Sequence, residues 1–236
     1  MPSERTRPLQ RRSMLHRWHR RNGAEFVERG GALMVARYTS QANEDSAARR
    51  LGICDLTAMP RTGVTGPGAT EWLAARGLTV PETPNRAVRQ TDADALARLS
   101  RNEYLLLGTR LLNEGGSPAA TPVCSDLPKQ RVYALPRLDS HCCLALTGVQ
   151  AVNLLSKICA VDLRPHVFAD GDVAQTEVAH LSAIVVRHDL HRCPCFLVLV
   201  SSVAAEFAFE AMLDAMIEFN GTAIGLHALQ SGGLES

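Results

Sequence analysis

The sequence predicts an α+β protein made of two duplicated ferredoxin-like halves, and three observations carry that prediction. Val64-Thr65-Gly66-Pro67-Gly68-Ala69 with Leu73, and Leu146-Thr147-Gly148-Val149-Gln150-Ala151 with Leu155, share the pattern TGxxAxxxL, with Thr65 and Thr147 82 residues apart. An internal duplication is the economical explanation. Each copy places a strand before the TG turn and a helix after it. Each then reaches a strongly apolar strand, Tyr104-Leu105-Leu106-Leu107 in the first and Phe196-Leu197-Val198-Leu199-Val200 in the second. The returns between strands are antiparallel and too short for crossovers, which favours an α+β sandwich over a doubly wound sheet. The halves then share one sheet system or pack face to face.

The first 21 residues form a basic arm in which Arg5, Arg7, Arg11, Arg12, Arg17, Arg20 and Arg21 meet one acid, Glu4. Such an arm can neutralise phosphates, but it has no recognisable module and only Trp18 to stack a base, so nucleic acid is disfavoured as a partner. An Arg-rich, acid-poor start also resembles a mitochondrial transit peptide. The reading preferred is a partly disordered tail that docks on a partner's acidic surface. From Ser13, residues Leu15, Trp18 and His19 share a helical face that Gly23 ends. Phe26, Val27, Leu33, Met34 and Val35 then alternate with glycines as an extended segment and turn do. Residues 44–51 read as a short helix stopped by Gly52, with Ile53-Cys54-Asp55-Leu56 as a strand after it. Asp55 reads as a turn or cap residue in preference to a catalytic acid.

The second copy runs over 142–200: a strand ending at Thr147-Gly148, a helix over about 149–159, a loop, and two more strands. Thr147 and Gln150 have the spacing of a capping box. Ala151, Leu154, Leu155 and Ile158 recur at i, i+3, i+4 and i+7 and give the helix one apolar face. A further helix over about 203–219 ends at Asn220-Gly221. The first copy has no comparable second helix; residues 114–128, rich in Gly, Ser, Pro and Ala, read as a loop or linker. The organisation expected is a basic N-terminal arm (1–21), a first half-repeat with linker (22–128), a second half-repeat (129–222) and a C-terminal tail (223–236).

With 236 residues, 46% of them hydrophobic and 21% charged, and a net charge of +1, the chain has the composition of one large or two small soluble domains. No run approaches the roughly 18 uninterrupted apolar residues of a membrane span, and no apolar secretory segment opens the chain, so the cytoplasm is the expected compartment. Of the seven cysteines, Cys54, Cys142, Cys143 and Cys159 sit in apolar runs, where thiols act as small hydrophobes; a disulfide framework is not expected.

No GxGxxG opens a helix directly after a strand, and GxxxxGK[ST], HExxH and GxSxG do not occur. The sharpest metal-like cluster is His188, His191, Cys193 and Cys195, imidazoles and thiolates within eight residues. It lies between two strands where 189–194 must turn, and structural zinc sites draw ligands from separated elements, so an exposed hairpin loop is preferred and no metal is expected. Asp162, Arg164 and His166 could form an acid–base site. A loop pinned by an Asp–Arg pair and Pro165 is preferred.

The stretch from Leu146-Thr147-Gly148 through Leu154-Leu155 to Cys159, then Asp162-Leu163-Arg164-Pro165, Phe168, Gly171, Ala174-Gln175-Thr176 and 214–219, resembles the gamma subunit of heterotetrameric sarcosine oxidase. Upstream, Leu15-His16, Gly23-Ala24-Glu25-Phe26-Val27, Tyr38, 51–56 and Val64-Thr65-Gly66-Pro67 resemble the start of the aminomethyltransferase family, the glycine-cleavage T-protein. The resemblance implies an aminomethyltransferase-type, folate-binding fold lacking the C-terminal barrel. The acidic stretch that assists transfer to folate in full aminomethyltransferases corresponds here to 91–96, where Asp92 or Asp94 could stand in, although the motif is broken. The gamma chain of sarcosine oxidase is the non-flavin subunit. By resemblance this chain binds no cofactor alone, and FAD, FMN and tetrahydrofolate belong to alpha and beta partner subunits. That assembly oxidises sarcosine or a related secondary amino acid; a self-standing tetrahydrofolate-dependent aminomethyltransferase is the alternative.

Overall fold

The computed structural model describes residues 10–91, 94–112 and 131–231. The N-terminal part supplies β1 (Arg11–Arg12), α1 (His16–Arg21), β2 (Glu25–Arg29) and β3 (Ala32–Arg37), the strands forming a small sheet in the order β1-β3-β2. The described part of the arm is therefore built into the fold: Arg11 donates its backbone N–H to Gly31, and Leu15 and His19 are buried. α2 (Gln41–Arg50) starts three residues before the helix expected at 44. Buried Glu44 ties that start in place, its carboxylate accepting the N–H groups of Tyr38 and Thr39 in the turn that leads into the helix and that of Gly225 from the C-terminal segment.

β4 (Gly52–Asp55) follows, then β5 (Arg61–Thr65), α3 (Ala69–Ala74), β6 (Arg86–Arg89), β7 (Ala95–Ser100) and β8 (Glu103–Leu107). The second series is β9 (Tyr133–Leu135), β10 (His141–Thr147), α4 (Ala151–Ile158), β11 (Val173–Val178), β12 (Leu181–Arg187) and β13 (Cys195–Ser201). α5 (Ala205–Met216), β14 (Thr222–Ala223) and α6 (Leu226–Ser231) complete the described chain. The sheets run β6-β7-β8-β5-β9 and β11-β12-β13-β10-β4-β14. The order 6-7-8-5 repeats as 11-12-13-10, so the duplication read from TGxxAxxxL is a duplication of topology.

The two copies also exchange a strand. β4 precedes β5 in the chain but pairs antiparallel with β10, whereas β9 precedes β10 but pairs antiparallel with β5. Arg61 fixes the place where the two connections cross. Its guanidinium, almost fully buried, donates to the carbonyls of Thr57 and Met59 on one connection and of Arg137, Leu138 and His141 on the other. Burial lowers its pKa, and the carbonyl ring satisfies the donors that make such a charge tolerable.

The sheets pack face to face. Leu105, Leu107 and Ala97 of one meet Cys143, Leu197 and Val186 of the other in a shared core. The outer face of the larger sheet is covered by α4 and α5 through Leu154, Leu155, Phe209 and Met212, and that of the smaller by α3 through Trp72 and Leu73. The result is a four-layer sandwich of helices, sheet, sheet and helix.

Two expectations need correction. Thr147 does not cap α4: it ends β10 with its side chain directed at Cys193 Sγ, and Gln150, the N-cap, makes no side-chain capping bond. The helix start is satisfied from outside, because the last carbonyls of α2, Arg49 and Arg50, accept the N–H groups of Val149 and Gln150. Residues 223–231 are not a tail. Ala223 pairs with Ile53 in β14, and α6 buries Leu226, Ala228 and Leu229 in the inter-sheet core, a pattern too short to declare itself as a helix in sequence. The linker expected at 114–128 lies outside the described residues.

Candidate functional site

A largely buried chain of hydrogen-bonded side chains joins three separated elements. α1 points His19 inward on the face it shares with Leu15, β4 ends in Asp55, and Tyr38 follows β3. His19 Nε2 lies 2.9 Å from Asp55 Oδ2, and Tyr38 OH lies 2.6 Å from His19 Nδ1. Asp55 Oδ1 accepts the Thr57 N–H at 2.8 Å, so its expected turn role is present. Burial pushes the Asp55 carboxyl up, but hydrogen bonds from His19, Ser13 and Thr57 outweigh it and leave the pKa below the usual range. Burial and the neighbouring acidic groups hold the Tyr38 hydroxyl well above its usual range, so it stays a donor. The network therefore assigns the ring hydrogen to Nε2, with Tyr38 donating to Nδ1. His19 and Asp55 have side chains 1% and 2% exposed, and the crevice beside them, lined by Ser13, His16, Phe26 and Met34, holds no space for a water molecule. Among the described residues this hydrogen-bonded chain is enclosed, and it ties α1 and β3 to the end of β4.

The residues that looked metal-like are sent apart. His191 and Arg192 take left-handed backbone in a tight turn closed by Leu190 and Cys193, as the hairpin reading expects. His188 Nε2 accepts from Arg89 across the sandwich at 2.9 Å, and burial with the Arg89 charge pushes its pKa down to about 4. Cys193 Sγ faces Thr147 and the Ala48 carbonyl, whereas Cys195 is wholly buried, where burial holds its thiol well above the usual range. Among the described residues, no three His, Cys, Asp or Glu side chains are placed to hold a metal.

His188 belongs instead to an ionic clasp between sheet edges. Arg89 also reaches Asp170 at 3.2 Å and the Asp189 carbonyl at 2.5 Å, Arg86 pairs with Asp172, and Arg187 holds Asp189 bidentately at 2.9 and 2.8 Å. No signal in sequence joins residues 86–89 to 170–189; the contact is created by the packing of the two copies.

Asp94 is buried at the start of β7, its carbonyl accepting the Gln90 N–H, while Asp92 lies outside the described residues. Asp162 and Arg164 make the exposed pair expected of a pinned loop, which, with a smaller contribution from His166, lowers the Asp162 pKa to about 2. One open cavity of about 330 Å³ lies where the inner face of the larger sheet emerges, lined by His141, Gln175, Thr176, Ser182, Ile184 and Leu199. Burial, Arg137 and Arg61 lower the His141 pKa, so it faces this cavity uncharged near neutrality.

No helix of the described residues is long and apolar enough to cross a membrane. No protein-family model matches the chain. A 64-residue stretch, 27% of the chain, is 39% identical to an aminomethyltransferase of Corynebacterium jeikeium and spans 16% of that protein. Among solved structures, the glycine cleavage system aminomethyltransferase T of Bartonella henselae superposes with a TM-score of 0.69 at 18% identity, over 93% of this chain and 60% of that one. A chain of the heterotetrameric sarcosine oxidase of Corynebacterium sp. U-96 superposes with a TM-score of 0.61 at 21% identity, over 77% of this chain and 93% of that one. The chain thus covers 16% and 60% of the two aminomethyltransferases and nearly all of a sarcosine oxidase chain shorter than itself. Its fold is the α+β fold that aminomethyltransferase T and heterotetrameric sarcosine oxidase have in common.

Proposed function

We propose that this chain is a non-catalytic, gamma-type subunit of a cytoplasmic, multi-subunit, flavin-dependent complex that oxidatively demethylates sarcosine or a related secondary amino acid. The observation that carries the reading is the near-complete coverage of a short sarcosine oxidase chain by this fold. The enclosed His19–Asp55–Tyr38 network fits the same role, since the acid–base group it contains holds elements together and leaves chemistry to partners. FAD, FMN and tetrahydrofolate would be held by alpha- and beta-type chains. The tagged chain, purified from its source cells, is expected to co-elute with flavin-bearing chains whose flavin is reduced on addition of sarcosine. A chain that elutes alone overturns the reading.

A second reading, a folate-dependent aminomethyltransferase, draws on the 39% identical stretch. Tetrahydrofolate binding and aminomethyl transfer by the isolated chain would decide for it.

A further inference from the structure

We propose that the outward face of α5 is the surface on which a partner subunit docks, through an apolar contact segment flanked by arginine or lysine side chains. This rests on the subunit reading above. α5 with its flanking turns covers 202–219 and presents Val203, Phe207 and Ile217 to solvent, at 96%, 56% and 69% exposure, while Phe209, Met212 and Met216 fill the core on its other side. Single exposed apolar residues are ordinary on a protein surface. Here Val203 and Phe207 lie one turn apart on that face and Ile217 lies on it nearly three turns beyond Phe207, with the exposed acids Glu210 and Asp214 between, so the face opposite the packed stripe carries apolar and acidic side chains interleaved.

The charge on the same face states what the partner must carry. Glu206, Glu210, Asp214 and Glu218 are exposed and follow one another at i, i+4 spacing, with no basic residue between 203 and 219. Like charges at that spacing repel along a helix. Asp214 and Glu218 also stand at the helix C-terminal end, where the dipole disfavours negative charge and the last turn holds no base. Among the described residues, Lys157 of α4 reaches Glu218 at 3.0 Å, and Glu206, Glu210 and Asp214 have no cation. Exposed apolar side chains interleaved with repelling acids are unfavourable on both counts in the free chain. A partner segment whose apolar side chains meet Val203, Phe207 and Ile217 and whose neighbouring arginine or lysine side chains meet the four acids relieves both at once, and charges of opposite sign speed and orient such an encounter.

The test uses the complex purified through the tagged chain, with bound flavin and sarcosine oxidation identifying the partner. Glu210→Lys turns two repelling pairs on α5 into attracting ones, so it is expected to maintain or raise the melting temperature of the isolated chain while lowering flavin-bearing partner recovery about tenfold. Phe207→Ala is expected to lower recovery with little change in melting, and Val167→Ala, exposed on another loop, to leave it unchanged. Wild-type recovery by both α5 variants overturns the docking surface and leaves the subunit reading standing. A wild-type chain that recovers no flavin-bearing partner overturns both. An isolated chain that dimerises, and becomes monomeric with Phe207→Ala, assigns the face to a second copy and overturns the proposal.

Discussion

Asp55 has two carboxylate oxygens with different duties, one turning the chain through Thr57 and one holding His19. Asp55→Ala leaves the buried His19 Nε2–H and the Thr57 N–H unpaired and is expected to cost about 3–5 kcal/mol, read as a lower urea midpoint. Asp55→Asn, which keeps the shape, should cost less. The turn duty was legible from an Asp after an apolar pair; the His19 partnership was not, since it joins residues 36 apart. His188 gives a test with a defined sign. Its folded pKa of about 4 lies below the unfolded value of about 6.5, so below pH 6.5 the unfolded chain takes up a proton that the folded chain refuses. Stability should therefore fall from pH 6.5 to 4, by up to about 3 kcal/mol from this group. Asp55, with its lowered pKa, acts only in the more acidic window below about 4. His188→Gln, able to accept from Arg89, should flatten the slope between pH 6.5 and 4 relative to wild type. An unchanged slope in chemical denaturation across that range would remove His188 from the account.

The repeated TG turn shows why some of the architecture could be read in advance. Gly148 has φ +113, and a Cβ there would stand 2.4 Å from the carbonyl carbon and oxygen of Arg50; Gly66, at φ +124, would bring one to 2.2 Å from the Arg131 oxygen. Backbone presses on both turns, so only glycine fits, and the Ala and Leu that follow are buried in both copies. A residue type required by sterics leaves a mark in sequence. The helix start beside Gly148 left none, because its donors are met by α2 carbonyls about a hundred residues away in the chain, and the capping-box spacing misled. Gly148→Ala combines a forbidden φ with a backbone clash and is expected to destabilise by about 3 kcal/mol or more, lowering soluble yield and melting temperature together. Gly77→Ala, also at positive φ but with open space around its Cβ position, should cost only about 1 kcal/mol and serves as the comparison.

The strand exchange decides how the molecule behaves as a whole. Each sheet contains a strand that belongs by chain order to the other copy, and buried Arg61 bonds to both crossing connections, so neither copy can complete its sheet alone. Sequence could show two copies but not this exchange, because β4 and β9 carry no signal for which of two similar neighbours they will pair with. Unfolding is expected to be a single transition in which calorimetric and van't Hoff enthalpies agree. Polypeptides 10–112 and 131–231 prepared separately should each lack cooperative melting, since β10 loses β4 in one fragment and β5 loses β9 in the other. Mixed at equal concentration, they should regain native circular dichroism with a concentration-dependent midpoint, as a folded state made from two chains requires. Arg61→Met in the first fragment, which leaves five carbonyls without their shared donor, should weaken that reassembly at least tenfold. Independent cooperative melting of either fragment would show that the exchanged strands decorate two self-sufficient sheets and do not bind them into one.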